Sequence, residues 1–391
     1  MWVFTRFCEA FCRQFGQLVA RSVALALAAT AILLSADPLH AQDYEIWALD
    51  QGTNIVHIYN AKLEEAGRID MNAHGVRVPH MIHFTSDQAY AFIASTASGD
   101  VSVIRTADRQ VVTVLKTGPG THMAMVKPDD SAAIIDVIGP ANDPRSGKLV
   151  EIKIDKQKGE FTLGRTLTIA DDPLVKKAAD KFSATRAICH DYSADGRLAY
   201  VTLGPLLKDG GLVVLDTQKF ELVAAFPVTE IRANCGTVAL PDKKHIIVNG
   251  GDHGVGVWHV IETGTHKVVK QGESRGHDAH GTWVTPNGRE IWMVNRETSN
   301  GIVLDANTFE TIADLKDIGA TPDIIAMSPD SQFAFITTRG PNPVSAAHIA
   351  KGPTPGFSVV NIAQRKLVKL VEPAKGNEKS DFHGIGVRQI K

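Results

Sequence analysis

Four histidines in this 391-residue chain stand in one recurring phrase. His80, His122 and His280 each fall seven residues before the Asp or Asn of a turn, written "TSDQ", "KPDD" and "TPNG", and His383 holds the same place because "DFHGIGV" matches "DAHGTWV". Seven sites share the phrase; with 15 histidines in the chain, random placement predicts fewer than one on them. The other three sites carry Ile188, Cys235 and Asp323, and His190 lies two residues past Ile188, on the same face of an extended strand. Neutral imidazole is a common ligand for zinc, copper and other first-row metals, and carboxylate and thiolate can join it. The candidate ligands are therefore His80, His122, His280, His383, His190, Asp323 and Cys235. A metal-free channel that binds water would use the same polar residues.

Residues forty apart meet only if a repeat brings them together. The turns fall at Asp87, Asp129, Asp195, Asp242, Asn287 and Asp330, with spacings of 42, 66, 47, 45 and 43. Between them the pattern alternates with period two, so the chain reads as all-β with four strands per unit. Such a period signals a propeller, whose blades stack radially and whose innermost strands line a central channel. "GPANDPRSG" and "DDPLVKKAADKF" are insertions in the second blade, and "RGPNPVSAAHIAKGPTPG" in the sixth. Short helical patterns lie at Pro173 to Lys181 and at Val344 to Lys351. The C-terminal "DFHGIGV" opens a blade without completing it, while "YEIWALD", "NIVHIYN" and "LEEAGRID" are three strands without a first. Joined, they make a seventh blade, so residues 42–391 form one closed propeller.

The stretch "RLAYVTLGPLLKDGGLVVLDTQKFELVAAFPV", residues 197–228, resembles the YVTN-type β-propeller repeat, with Tyr200, Val201 and Thr202 in the namesake triplet. That family includes binding modules, surface proteins and enzymes, so the resemblance implies architecture and not activity. The WD dipeptide of the WD40 class is missing. The architecture also resembles the propeller of nitrous oxide reductase and, more loosely, those of dissimilatory nitrite reductase and the methylamine dehydrogenase heavy subunit. The first resemblance implies a copper site held by histidines of successive blades, with His80, His122, His280 and His383 as ligands. The chain departs from it in lacking a cupredoxin domain, so a redox role implies an external electron carrier.

Around the ring, His83 and His277 are expected to support, and His57, His245, His259 and His266 to be surface or strand residues. Cys189 and Cys235 lie in consecutive blades and are candidates for a disulfide, for two free thiols or, at Cys235, for a metal thiolate. Arg77, Arg186, Arg232 and Arg275 precede inner strands, and Arg296 and Arg339 share a position nine residues after the turn. Arg77, Arg186, Arg232, Arg296 and Arg339 are the candidate receptors for a small anion or an acidic partner, with Asp278 and Glu297 near enough to neutralise some of them. No Cys-x-x-Cys-His is present, which excludes covalent c-type haem. Gly-x-Ser-x-Gly, His-Glu-x-x-His and a Gly-rich phosphate loop are also missing.

Arg6, Arg13 and Arg21 lead into "SVALALAATAILL", and "DPLHAQD" follows, a pattern expected of a cleaved secretory signal ending at Ala41. Thirteen apolar residues fall short of the roughly 20 that span a bilayer, so no stable membrane span is expected. Removal of residues 1–41 takes Cys8 and Cys12 with it and leaves a net charge near −3 from the chain's −2. Nothing in that charge favours nucleic acid. Three function classes remain: copper redox chemistry on a small anion, handling of copper or zinc for a periplasmic transporter, and a metal-free interaction scaffold.

Overall fold

The computed structural model describes residues 43–390. The signal segment expected at residues 1–41 lies outside them. Each turn is built by its own side chains: Thr85, Ser193, Thr285 and Ser328 donate to Asp87, Asp195, Asn287 and Asp330, at 2.7, 2.6, 2.8 and 2.6 Å. The residue directly after the Asp or Asn, such as Gly196 or Gly288, takes the left-handed backbone (φ 68 and 71°) that closes so tight a hairpin.

Twenty-eight strands form seven four-stranded antiparallel sheets. Six are consecutive in sequence. The seventh joins Phe382–Gln389 to Tyr44–Asp50, Ile55–Asn60 and Glu65–Asp70. The expected seven-bladed ring closed by both chain ends is therefore the fold. Apolar side chains on both sheet faces meet those of the neighbouring blades: Phe92 and Val103 pack against Ile135 and Val150, and Ile46 and Ala48 against Phe335 and Phe357. Each such fully buried residue contributes about 1.5–3 kcal/mol.

The first insertion holds a short helix, Pro173–Lys177, capped by Asp172, whose carboxylate accepts from Leu174 N at 2.9 Å and from Leu222 N of the next blade at 3.1 Å. The second expected helix, Val344 to Lys351, is a loop instead. Val344 N donates to Asp381 and the Ser345 carbonyl accepts from Arg339, while Ala346 adopts φ 50°. These tertiary bonds take the backbone groups a helix would need, and the loop arches over one mouth of the channel. Among the described residues, no helix is long and apolar enough to cross a membrane.

The innermost strands, such as Pro79–Phe84 and Thr121–Val126, are not regular. Pairing with the second strand slips between Pro79 and Met81, Thr121 and Met123, Ala187 and His190, Ala279 and Thr282, and Pro322 and Ile325. A bulge breaks the two-residue alternation, so two consecutive residues can face the channel. This irregularity sits at the height of the histidine ring in every one of these blades.

Candidate metal centre on the channel axis

A cavity of about 550 Å³ opens at the mouth, and His80, His122, Ile188, Cys235, His280 and His383 form its floor. The repeat therefore brings six of the seven ring positions to one place. Asp323 stands directly behind His280 and His383, fully buried. His190 departs from the ring. The bulge turns Cys189 toward the channel, and His190 points away, its Nδ1 2.6 Å from Asp136 of the preceding blade. The same-face inference from Ile188 fails because it presumes regular alternation.

Hydrogen bonds to carbonyl oxygens fix which imidazole nitrogens face the axis. Gln51 Nε2 donates to Asp381 and Ser345, so its Oε1 is the acceptor 2.9 Å from His80 Nδ1. His383 Nδ1 donates to the His80 carbonyl at 2.9 Å. In both residues the proton sits on Nδ1, leaving the Nε2 lone pair free. His383 Nε2 then faces Asp323 Oδ2 at 3.8 Å, two acceptors with no hydrogen between them. His80 Nε2 lies 3.0 Å from His122 Nε2, and the His80 and His383 rings stack at 3.6 Å.

His280 Nδ1 and Asp323 Oδ1 are 2.6 Å apart. His280, Asp323 and His383 each offer one atom, and all three atoms lie within 4.8 Å of one another. A buried carboxylate between two imidazoles can share a proton, as His280 and Asp323 do at 2.6 Å, or hold a cation in its place. The donor set thus suits a first-row metal ion.

Charge surrounds one side of this set. Arg339, fully buried, donates through Nη1 to Asp323 at 2.8 Å and through Nε and Nη2 to Asp381 at 2.7 and 2.8 Å. Arg296 grips Asp278 at 2.6 and 3.1 Å and lies 3.6 Å from Asp323. Burial opposes ionisation of Asp323, but His383, His280, Arg339 and Arg296 hold it well below the usual carboxylate range. Burial pushes His80 and His383 well below the ordinary histidine value, and burial followed by the neighbouring His280 takes His122 down to about 4. These three are neutral, as ligation requires. For His280, burial and Arg296 are outweighed by Cys235 and Asp323, which carry it up to about 9. A metal at His280 therefore replaces a proton.

The arginines expected to receive an anion are placed differently from one another. Arg296 and Arg339 are buried in carboxylate pairs, Arg186 lines the mouth but donates to the Pro140 and Ala141 carbonyls at 3.4 and 2.7 Å, and Arg77 and Arg232 are exposed and lie outside the mouth lining. Arg275 pairs with Asp314, and His277 and His253 both approach Glu297. Cys189 and Cys235 are free buried thiols, not a disulfide, and burial pushes the Cys189 thiol well up.

Several residues that hold the site were not singled out in the sequence. Gln51 orients His80, and Asp381 anchors Arg339. Asp136, Thr202, Asn249 and Thr337 stand seven residues after their turns, and each reaches the ring strand of the next blade: His190 Nδ1 or the carbonyls of Cys235, His280 and His383. Scanning after the turn as well as before it would have found them. Glycine follows three ring residues because the next ring carbonyl fills the space: a Cβ on Gly281 would lie 2.2 Å from the Asp323 oxygen, and one on Gly384 2.4 Å from that of His80.

No protein-family model matches the chain, and no curated protein does. Among solved structures, the chain is similar to hydrazine synthase of Kuenenia stuttgartiensis, at 15% identity and a TM-score of 0.58, over 84% of this chain and 95% of that one. It is also similar to the dihydro-heme d1 dehydrogenase NirN in complex with DHE, at 14% identity and a TM-score of 0.54, over 90% of this chain and 75% of that one. At such identities the likeness is one of fold.

Proposed function

We propose that this chain is exported to the periplasm and holds a divalent first-row metal, copper before zinc, at His280, Asp323 and His383, with His80 and His122 beside them. The convergence of buried His280, Asp323 and His383, whose donor atoms lie within 4.8 Å of one another, carries the reading. The chain's own residues fix the ligands. Asp323 is held by Arg339, His383 by the His80 carbonyl and His80 by Gln51, which is how a metal site is oriented from outside its ligands. Bound there, copper would supply one-electron chemistry to a small molecule entering the 550 Å³ mouth, with an external carrier exchanging the electron.

Resident metal is favoured over delivery because the ligands are buried and braced by charge pairs that release would have to break. The mouth itself carries Asp209, Asp252 and Asp278 beside Arg186, a mixed lining that suits a small polar substrate better than a strongly anionic one. A second reading is a non-covalent tetrapyrrole in the same mouth. It is supported by the size of the cavity and by imidazoles on its floor, and NirN is named for a heme d1 substrate.

Elemental analysis and a visible spectrum of protein purified from the periplasm test both. Stoichiometric copper that is lost in Asp323→Asn supports the metal reading, and an intense haem-type band supports the second. Metal content unchanged in Asp323→Asn and in His280→Ala would overturn the first.

A further inference from the structure

Immediately below the ring lies a second chamber of about 40 Å³. Its wall includes Met81, Met123, Met125, Cys189 and Cys235, together with imidazoles, Trp283, two threonines and apolar Val238, Ile324 and Ile325. Its origin is the bulge. In each inner strand the residue after the ring position is also turned toward the axis, and those residues are Met81, Met123, Cys189, Gly236, Gly281, Ile324 and Gly384. Where glycine stands, the next ring carbonyl closes the gap. Where a side chain stands, three times out of four it bears sulfur. Met125 adds a third thioether from two residues further along its strand.

Three observations decide what such a chamber holds. At about 40 Å³, against about 550 Å³ for the mouth, it is too small for a substrate and suits an ion or a few waters. No Asp, Glu, Lys or Arg lines it, unlike the mouth above, so a divalent ion there would lack a compensating charge. Its side-chain donors are thioethers, thiols and imidazole with the hydroxyls of Thr237 and Thr282; Met123 Sδ accepts from His190 N at 3.4 Å, and His83 Nε2 is buried with no hydrogen-bond partner. Thioether and thiol donors select soft, weakly hydrated ions such as Cu(I) over Zn(II) or Mg(II).

We propose that this chamber is a separate soft-metal site that takes a monovalent d10 ion, cuprous copper or silver, on Met81, Met123 and Cys189, with Met125 and Cys235 completing the sulfur wall. The site goes beyond the ring: Met81, Met123, Met125 and Cys189 are not in the ring set, and Asp323, which anchors that set, is not in the chamber wall, although His122, Cys235, His280 and His383 border both.

The test is titration of the full mature protein with Ag(I), which is redox-inert, repeated anaerobically with Cu(I) against a colorimetric cuprous chelator. Three proteins are compared: the natural chain, Asp323→Asn, and the triple variant Met81→Leu, Met123→Leu, Cys189→Ser. The natural chain and Asp323→Asn should bind one ion with similar affinity, and the triple variant should bind it roughly 10- to 100-fold more weakly. Leucine conserves methionine's volume, so the variant should fold. If it does not, Met123→Leu alone must still weaken binding. Ag(I) must also change the fluorescence of Trp283, with the change absent in Trp283→Phe. Equal affinity in the triple variant, or loss of Ag(I) binding in Asp323→Asn, overturns the proposal. Failure of the ring reading appears separately, as divalent metal unaffected by Asp323→Asn.

Discussion

The two arcs of the ring occupy equivalent strand positions and carry opposite chemistry. On the arc of blades five to seven, His280, Asp323 and His383 are backed by Arg296, Arg339, Asp278 and Asp381, all buried. On the arc of blades two to four, His122, Ile188 and Cys235 are backed by Met123 and Cys189. Backbone geometry alone does not explain the contrast, since both arcs bulge at the same height. Buried charge does. Once Asp323 is placed at the axis it needs partners, each partner needs another, and the network grows to the chain closure at Asp381, Gln51 and Ser380 to Asp50. The other arc keeps its buried carboxylate, Asp136, off the axis, where His190 pairs with it, so its axial face is free to fill with sulfur.

The largest expected break in this contrast is Arg339→Leu. It leaves buried Asp381 without its cation and Asp323 with only His280 and Arg296, and should cost about 3–5 kcal/mol, read from the midpoint of urea unfolding. Arg339→Lys should recover only part, because one ammonium cannot reproduce the three guanidinium nitrogens that divide between two carboxylates. A loss below about 1 kcal/mol would mean that water already reaches the network.

A matched pair of substitutions sharpens the comparison further. Thr337 donates to the His383 carbonyl at 2.7 Å and accepts from Ile324 N at 2.9 Å; Thr202 donates to the Cys235 carbonyl at 2.6 Å and accepts from Cys189 N at 3.3 Å. Thr337→Val and Thr202→Val should each cost about 1–3 kcal/mol, the loss expected when buried partners are left unpaired. Only Thr337→Val should lower divalent-metal affinity, since only it loosens a ring histidine of the charged arc. Equal effects of the two on divalent metal would erase the distinction between arcs.

A smaller effect is expected from pH. In the metal-free protein His280 is raised to about 9, from an ordinary value of 6.5. A raised histidine stabilises the fold fully below about 6.5 and loses that contribution as pH rises through about 9. The melting temperature of metal-free protein should therefore fall between these values, and His280→Gln should flatten the fall. Divalent metal should add more to the melting temperature at pH 9 than at pH 6.5, because fewer proteins must give up a proton to bind it.

The architecture was legible because a propeller writes its repeat into every blade: turn residues, period-two strands and the unpaired half-blades at both ends. Five ring residues, His80, His122, His280, Asp323 and His383, were legible for the same reason. His190 was misplaced, Met81 and Met123 were missed, and Cys189 was read as a thiol or disulfide partner without its place on the channel, through one cause: the bulge shifts side-chain alternation without leaving a mark in the spacing. Arg296 and Arg339 were found as a repeated position but read as a rim. Sequence spacing places a guanidinium at a height on the axis; only packing shows that Asp278, Asp323 and Asp381 enclose it. Gln51 escaped notice because it acts from outside the repeat phrase, at the seam where the chain ends meet; Asp381 opens the phrase "DFHGIGV" as Asp278 opens "DAHGTWV", but only packing shows its pairing with Arg339.

The mildest test addresses the residue that interrupts the ring. Ile188 fills a ring slot on the apolar arc, is almost fully buried, and packs with Met81, Met123 and Cys189. Ile188→Val removes one methylene and should cost about 0.5–1.5 kcal/mol through the small void left beside the sulfur wall. The void opens beside Met123 and Cys189 and removes no contact to His280, Asp323 or His383, so divalent-metal content should not change. Silver affinity should change modestly, because a loosened wall holds Met123 and Cys189 less firmly against the ion. If divalent metal falls while silver binding is unaffected, Ile188 serves the ring and not the chamber, and the two arcs form one site.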